Sequence, residues 1–216
     1  ADQPLRYRDA YLAAVERLIM LVAPIGGVFI AAGDLVVTLL LGSQWTDAGA
    51  ILRWMGVSAM YMPITYTLSW LYMSQDRTPE MLRAGIVNAG LTVAALLAGL
   101  PFGAVGVAAA YAISGIIVRV PVLFWLAGRR GPVQLGDLFR ILLLPLCAVA
   151  AVAGAGFAVR SWPVVTALPG PAEAAVLAAG MGTAALLVYA AFPRGRHIFR
   201  ETARQIKTIV TGEARA

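Results

Sequence analysis

Long apolar runs separated by short polar segments set the pattern of this chain. The runs cover about residues 18–41, 48–73, 81–100, 105–127, 141–159 and 172–192. A helix of about 20 apolar residues covers a hydrocarbon core of roughly 30 Å. The pattern therefore predicts an all-α, polytopic membrane helical bundle with six transmembrane helices. Pro24, Gly26 and Gly27 fall inside the first run, where membrane helices accept them if neighbours satisfy the backbone. Pro63, near the centre of the second, predicts a bend. Thr78, Pro79 and Glu80 mark a helix start, as N-cap, first helical position and first-turn acid. The third run turns back at Pro101-Phe102-Gly103. Gly106, Ala110 and Ser114 form a smooth strip that lets another helix approach, and Ala150, Gly154 and Ala158 form a second.

The polar segments divide the chain further. Residues 1–17 carry Tyr11, Leu12 and Val15 as a short apolar stripe, which predicts a helix lying at the cytoplasmic surface or leading into the membrane. The divisions that follow are a four-helix part over 18–128, a cytoplasmic linker over 129–140, a final helix pair over 141–192 and a basic amphipathic tail over 193–216, which includes His197. Asp34 leaves two readings open. Either the first helix ends near Gly33 and Asp34 caps a short interfacial segment over 35–41, or a carboxylate is buried.

Composition agrees with a bilayer. The 216 residues are 60% hydrophobic and only 13% charged, with mean hydropathy +0.80, whereas soluble domains carry about a quarter charged residues. The net charge of +6 lies in loops and the tail rather than in a compact basic patch with interleaved aromatics, which argues against a nucleic-acid partner. Fourteen of the seventeen basic residues fall on the side that holds both termini. Loops rich in Lys and Arg stay cytoplasmic, so both termini are expected there. Trp54 at one end of the second run, with Trp70 and Tyr72 at the other, supplies interfacial anchors. The lone Cys147, among Leu, Ala and Val, reads as a small packed side chain. The first residue, Ala1, is neither an initiator Met nor the start of a signal-like segment, and a piece of a longer protein is expected. No nucleophile elbow, phosphate-binding glycine loop or metal-spaced cluster occurs, so an enzyme, a cofactor or a metal is not expected.

A set of motifs in fixed order carries a resemblance. Arg6 to Arg17 precede a run with an early Pro24, then Leu-Leu-Leu-Gly-Ser-Gln-Trp over 39–45 and an amphipathic segment over 48–54. Asp76-Arg77-Thr78-Pro79 and the turn over 99–111 complete the set. The order resembles the C-terminal half of bacterial polysaccharide flippases, the Wzx-like or polysaccharide-synthase-type exporters of the superfamily that includes MATE transporters. The likeness covers about residues 1–130, and Asp76 stands where that family often has Gly.

The resemblance implies the C-terminal portion of a MATE-like two-bundle fold, in which a central cavity opens alternately to each side of the bacterial inner membrane. The cargo it implies is an undecaprenyl-diphosphate-linked oligosaccharide for polysaccharide biosynthesis. The partners it implies are that lipid-linked oligosaccharide, the lipid bilayer and an N-terminal half of the same protein.

Polar groups at depth supply the substrate-path candidates, Arg119, Asn88, Arg53 and Asp34. Arg119, two residues before Pro121, either meets the pyrophosphate of a lipid-linked sugar, or snorkels or binds a neighbouring helix carbonyl. Asn88 reads as interhelical glue or as a sugar contact, and Arg53 and Asp34 can instead pair at the outer interface. Two other functions stay open. One is another transporter of the superfamily, exporting drugs or flipping a peptidoglycan precursor. The other is a non-transporting membrane scaffold of polysaccharide assembly.

Overall fold

The computed structural model describes residues 3–130 and 133–191, and every regular element among them is helical. α1 (Gln3–Leu41) carries the lead-in and the first run, with residues 3–17 leading into the run without interruption. Its backbone leaves helical geometry at Ala32 (φ −131°, ψ 22°) and then resumes. The interruption expected near Gly33 thus falls at Ala32, where two helical stretches meet at a kink, and Asp34 lies in the first turn of the second with its carboxylate on Arg160 and Arg53. The carbonyl of Ala31, at the bend, accepts a hydrogen bond from Arg160 Nη1 at 3.2 Å. A backbone group supplied with an outside partner lets a helix bend and continue. α1 stops at Gly42, whose φ of +92° favours a residue without a Cβ.

Two helices, α2 (Thr46–Ala59) and α3 (Met62–Ser74), replace the single bent run expected over 48–73. Pro63 has no N–H for the Ala59 carbonyl. The N–H groups of Met60 and Tyr61 turn to the Val57 and Ser58 carbonyls at 3.3 and 3.2 Å, and the bend becomes a break. α3 closes with Arg77 N–H on the Tyr72 carbonyl (2.9 Å) and Asp76 N–H on that of Met73 (3.2 Å). Asp76 sits at φ +54°, so it holds the left-handed geometry that glycine usually supplies there.

α4 (Thr78–Gly99) begins one residue earlier than expected. Arg77 occupies the cap position, Thr78 is already in the first turn, and Glu80 is held by the Arg77 guanidinium at 2.6 Å. A 3-10 turn, Leu100–Phe102, and Gly103 at φ +70° reverse the chain where the sequence expects it. α5 (Gly103–Ser114) then passes through a π-helical turn, Gly115–Arg119, into α6 (Val120–Gly128). α7 (Leu135–Arg160) starts inside the expected linker, because Gln134 N–H donates to Asp137 Oδ2 at 3.0 Å and fixes a first turn ahead of Ile141. The single turn α8 (Pro163–Thr166) leads to α9 (Gly170–Ala191). The tail expected over 193–216 lies outside the described residues.

Four helical runs are long and apolar enough to cross a membrane: Arg6–Leu41, Thr78–Gly128, Leu135–Arg160 and Gly170–Ala191. The second of these contains the reversal at Leu100–Gly103. Neither α2 nor α3, at 14 and 13 residues, has that length alone.

α1 is the centre of the packing. Its adjacent glycines serve different neighbours. A Cβ on Gly26 would lie 2.9 Å from the Gly56 carbonyl oxygen of α2, and one on Gly27 would lie 2.7 Å from Val152 Cβ of α7. One core joins Val15 and Ile19 of α1 to Ile64 and Leu71 of α3, Phe124 of α6 and Leu138 of α7. A second joins Ala31 to Val152, Leu177 and Met181 of α7 and α9. The strip Ala150, Gly154 and Ala158 is exposed rather than packed. The interlock of Gly27 with Val152 turns the opposite face of α7 inward. Cys147 is likewise exposed, not the packed side chain expected.

Ion pairs fix the helix directions. Arg8 Nε binds Asp137 Oδ2 at 2.8 Å at one end of the bundle, and Arg160 binds Asp34 at the other, so α1 and α7 run parallel. At 1.5 Å per residue the two pairs stand about 39 Å apart along α1 and about 35 Å apart along α7.

Candidate functional site

Two prolines build the site, each two residues after a side chain that it re-aims. Tyr61 precedes Pro63 at the break between α2 and α3. Arg119 precedes Pro121, which has no N–H for the Ile117 carbonyl, and the ladder widens so that Val120 N–H bonds the Gly115 carbonyl. Tyr61 crosses Gly115 so closely that a Cβ there would lie 1.9 Å from its Oη. The two displaced side chains meet at that crossing.

Arg119 is 4% exposed. Its Nη2 donates to Tyr61 Oη at 2.9 Å and to the Tyr111 carbonyl at 2.7 Å, and its Nη1 donates to Thr92 Oγ1 at 3.3 Å. The guanidinium carbon stands 4.0 Å from the Tyr111 ring centroid and 5.8 Å from that of Tyr61, within cation–π range. These partners are all neutral, and Nε has no hydrogen-bond partner. Among the described residues no carboxylate pairs with this cation. The snorkelling reading does not hold, because the side chain reaches back toward Tyr111. The carbonyl it binds lies on its own chain segment, eight residues earlier, and not on a neighbouring helix.

A cleft of about 220 Å³ opens beside the cation, between α3, α4 and the π turn. Tyr61, Tyr66, Asn88, Tyr111 and Arg119 contribute to its wall, and it extends to Tyr72 and Met81 near the Arg8 end. Asn88 is half-buried and lines this space. Among the described residues its side chain makes no hydrogen bond to another helix, whereas Thr92, one turn on, accepts one from Arg119.

Asp34 and Arg53 come together elsewhere, at the far end of α1, with Arg53 Nη2 3.0 Å from Asp34 Oδ1. Arg160 completes the group. Its Nη1 and Nη2 hold both Asp34 oxygens at 2.8 and 2.9 Å, and its Nε donates to Glu173 Oε1 at 3.2 Å. Two cations and two carboxylates thus tie α1, α2, α7 and α9 into an electrically balanced clamp.

The four sequence candidates therefore divide into two places, Arg119 with Asn88 in the cleft and Asp34 with Arg53 in the clamp. Tyr61, Tyr111, Thr92, Arg160 and Glu173 were not anticipated. Tyr61 carries a readable signal, the same two-residue offset from a proline that singles out Arg119. Arg160 reads in sequence as a loop charge, and nothing local pairs it with a residue of α1. Among the described residues no group of three His, Cys, Asp or Glu side chains could hold a metal ion. No family model, curated protein or solved structure matches this chain.

Proposed function

We propose that this chain is the C-terminal part of a flippase for undecaprenyl-diphosphate-linked oligosaccharide in the bacterial inner membrane. The observation that carries the reading is Arg119, a buried guanidinium with only neutral partners, beside a cleft of tyrosines and Asn88. Burying an uncancelled charge is costly, and such groups in apolar helices commonly mark a substrate path. A guanidinium presents parallel N–H donors that match phosphate oxygens. Hydroxyls, an amide and aromatic faces suit a sugar. The ordered motifs over residues 1–130 add the family resemblance.

In this reading the chain crosses the bilayer six times with both termini cytoplasmic. α2 and α3 together make one discontinuous crossing, and the run Thr78–Gly128 makes two. The ionic groups at the ends of α1 and α7 bracket the ~30 Å hydrocarbon core at both interfaces. Exposed Leu82, Ile86, Val93 and Leu97 then face lipid. Transport proceeds by alternating access against the rest of the protein.

The test is transbilayer movement of a labelled lipid-linked oligosaccharide in vesicles holding the full-length protein. Arg119→Ala should slow it about 5- to 30-fold, the effect of losing about one to two kcal/mol of charge-assisted contact. Normal movement in that variant removes Arg119 from the path. A parent protein that binds the lipid-linked sugar without moving it selects the scaffold reading, to which the four-helix clamp at Arg160 would be suited.

A further inference from the structure

We infer that the Arg8 end of the bundle carries a second binding site, distinct from the Arg119 cleft, for the phosphate headgroup of an anionic bilayer phospholipid. A cavity of about 280 Å³ lies there between α3, α4 and α6, walled by Tyr72, Glu80, Arg83, Leu126, Arg129 and Arg130. Three guanidiniums face one carboxylate, and that carboxylate is already engaged. Arg77 Nη2 holds Glu80 Oε2 at 2.6 Å, and Arg130 Nη1 approaches Oε1 at 3.4 Å. Arg77 also donates to the Ala127 carbonyl at 3.4 Å and to that of Arg130, so the negative end of α6 is met before the cavity is reached. Arg129 is held over the Trp125 ring at 4.2 Å. Arg83 has no ion pair or hydrogen bond among the described residues. It lies in the second turn of α4, where the helix dipole adds positive potential. The cavity therefore has an excess of cationic donors, which is the chemistry that takes a phosphate.

The surface leading away from Arg83 identifies the source of that phosphate. Ile86, Gly90, Val93 and Leu97 follow Arg83 at helical spacing on one face of α4, and all are exposed. Nothing lies within 4 Å of a Cβ on Gly90, so the face is grooved as well as apolar. From Arg83 to Leu97 it runs about 21 Å, more than the half-thickness of a ~30 Å hydrocarbon core. Half-exposed Trp125 beside Arg129 sets the cavity at headgroup depth. A free phosphate would use the cavity alone, whereas a phospholipid uses the cavity and the track together. Basic pockets between membrane helices on the cytoplasmic side recognise lipid headgroups in this way.

The test uses the full-length protein in nanodiscs of phosphatidylcholine with a minor fraction of phosphatidylglycerol, and counts phosphatidylglycerol retained by the protein in native mass spectrometry. Arg83→Gln, which breaks no contact, should weaken retention about fivefold, and Arg83→Gln with Arg129→Gln and Arg130→Gln on the order of 100-fold. Val93→Glu, on the track alone, should weaken it severalfold, while Arg119→Gln should leave it unchanged. Parent-like retention in the Arg83→Gln protein overturns the site, even where the triple variant fails to assemble. Loss of retention in Arg119→Gln places the lipid in the other cleft and overturns it too. Displacement by millimolar inorganic phosphate with no effect of Val93→Glu overturns the assignment to a lipid. None of these outcomes depends on transport.

Discussion

Arg160 holds both carboxylate oxygens of Asp34, at 2.8 and 2.9 Å, although 126 residues separate them. The same guanidinium reaches Glu173, which is 8% exposed, so one side chain pairs with two carboxylates on two other helices. Arg160→Ala should therefore cost on the order of 2–4 kcal/mol, because a buried acid is left unpaired. Arg53→Ala removes one half-exposed contact at 3.0 Å and should cost less than about 1 kcal/mol. Thermal melting in nanodiscs compares the two, and equal losses would show that the clamp does not centre on Arg160.

Arg119 should contribute little to stability for all its burial. In Arg119→Met the Tyr61 hydroxyl keeps Ser58 Oγ at 3.3 Å, and the Tyr111 carbonyl keeps the Ser114 hydroxyl at 3.1 Å. The melting free energy should stay within about 1 kcal/mol of the parent, since an uncancelled buried charge is itself unfavourable. A loss beyond about 3 kcal/mol would assign Arg119 a structural role.

The crossing of Tyr61 over Gly115 gives a coupling experiment. Gly115→Ala places a Cβ 1.9 Å from Tyr61 Oη and should cost roughly 2 kcal/mol by overpacking. In a Tyr61→Ala background that cost should nearly vanish, a non-additivity that a double-mutant cycle reads directly. Additive losses would mean that another neighbour limits the space at Gly115.

The α1–α2 contact should be unforgiving and the outer face of α4 tolerant. A Cβ on Gly56 meets the Gly26 carbonyl at 2.7 Å, so Gly56→Val should destabilise by about 3 kcal/mol. Gly90 has open space around it, and Gly90→Ala should be neutral or stabilise by up to about 1 kcal/mol through helix propensity. Melting of the two variants side by side decides this, and a harmful Gly90→Ala would reveal an unseen partner on that face.

Topology can be read by thiol labelling. In a Cys147→Ser background, Phe102→Cys at the α4–α5 reversal should react with impermeant reagents from outside the cell. Asp76→Cys, at the α3–α4 turn, should react only from the cytoplasmic side. Labelling of both positions from one side would rule out a six-crossing arrangement.

The residues by themselves determined the helical class, the apolar runs and most of the turns, because these depend on neighbours a few positions away. Twenty apolar residues in sequence, Gly42 and Gly103 at positive φ, and Pro101 at the reversal act locally, and their effects are visible without knowing what lies beside them. Prolines were legible as interruptions, but not in their result. Pro63 was expected to bend a helix and in fact ends one, and only the crossing of Tyr61 over Gly115 shows what that break positions. Arg119 stood out as a charge in an apolar run, yet its neutral partners come from the α2–α3 break, α4 and its own segment, brought together by packing. The pairing of Asp34 with Arg160 was not legible at all. Ion pairs act through space over a few ångströms, and which distant charges come that close is decided by which face of α1 meets α7, through the contact of Gly27 with Val152.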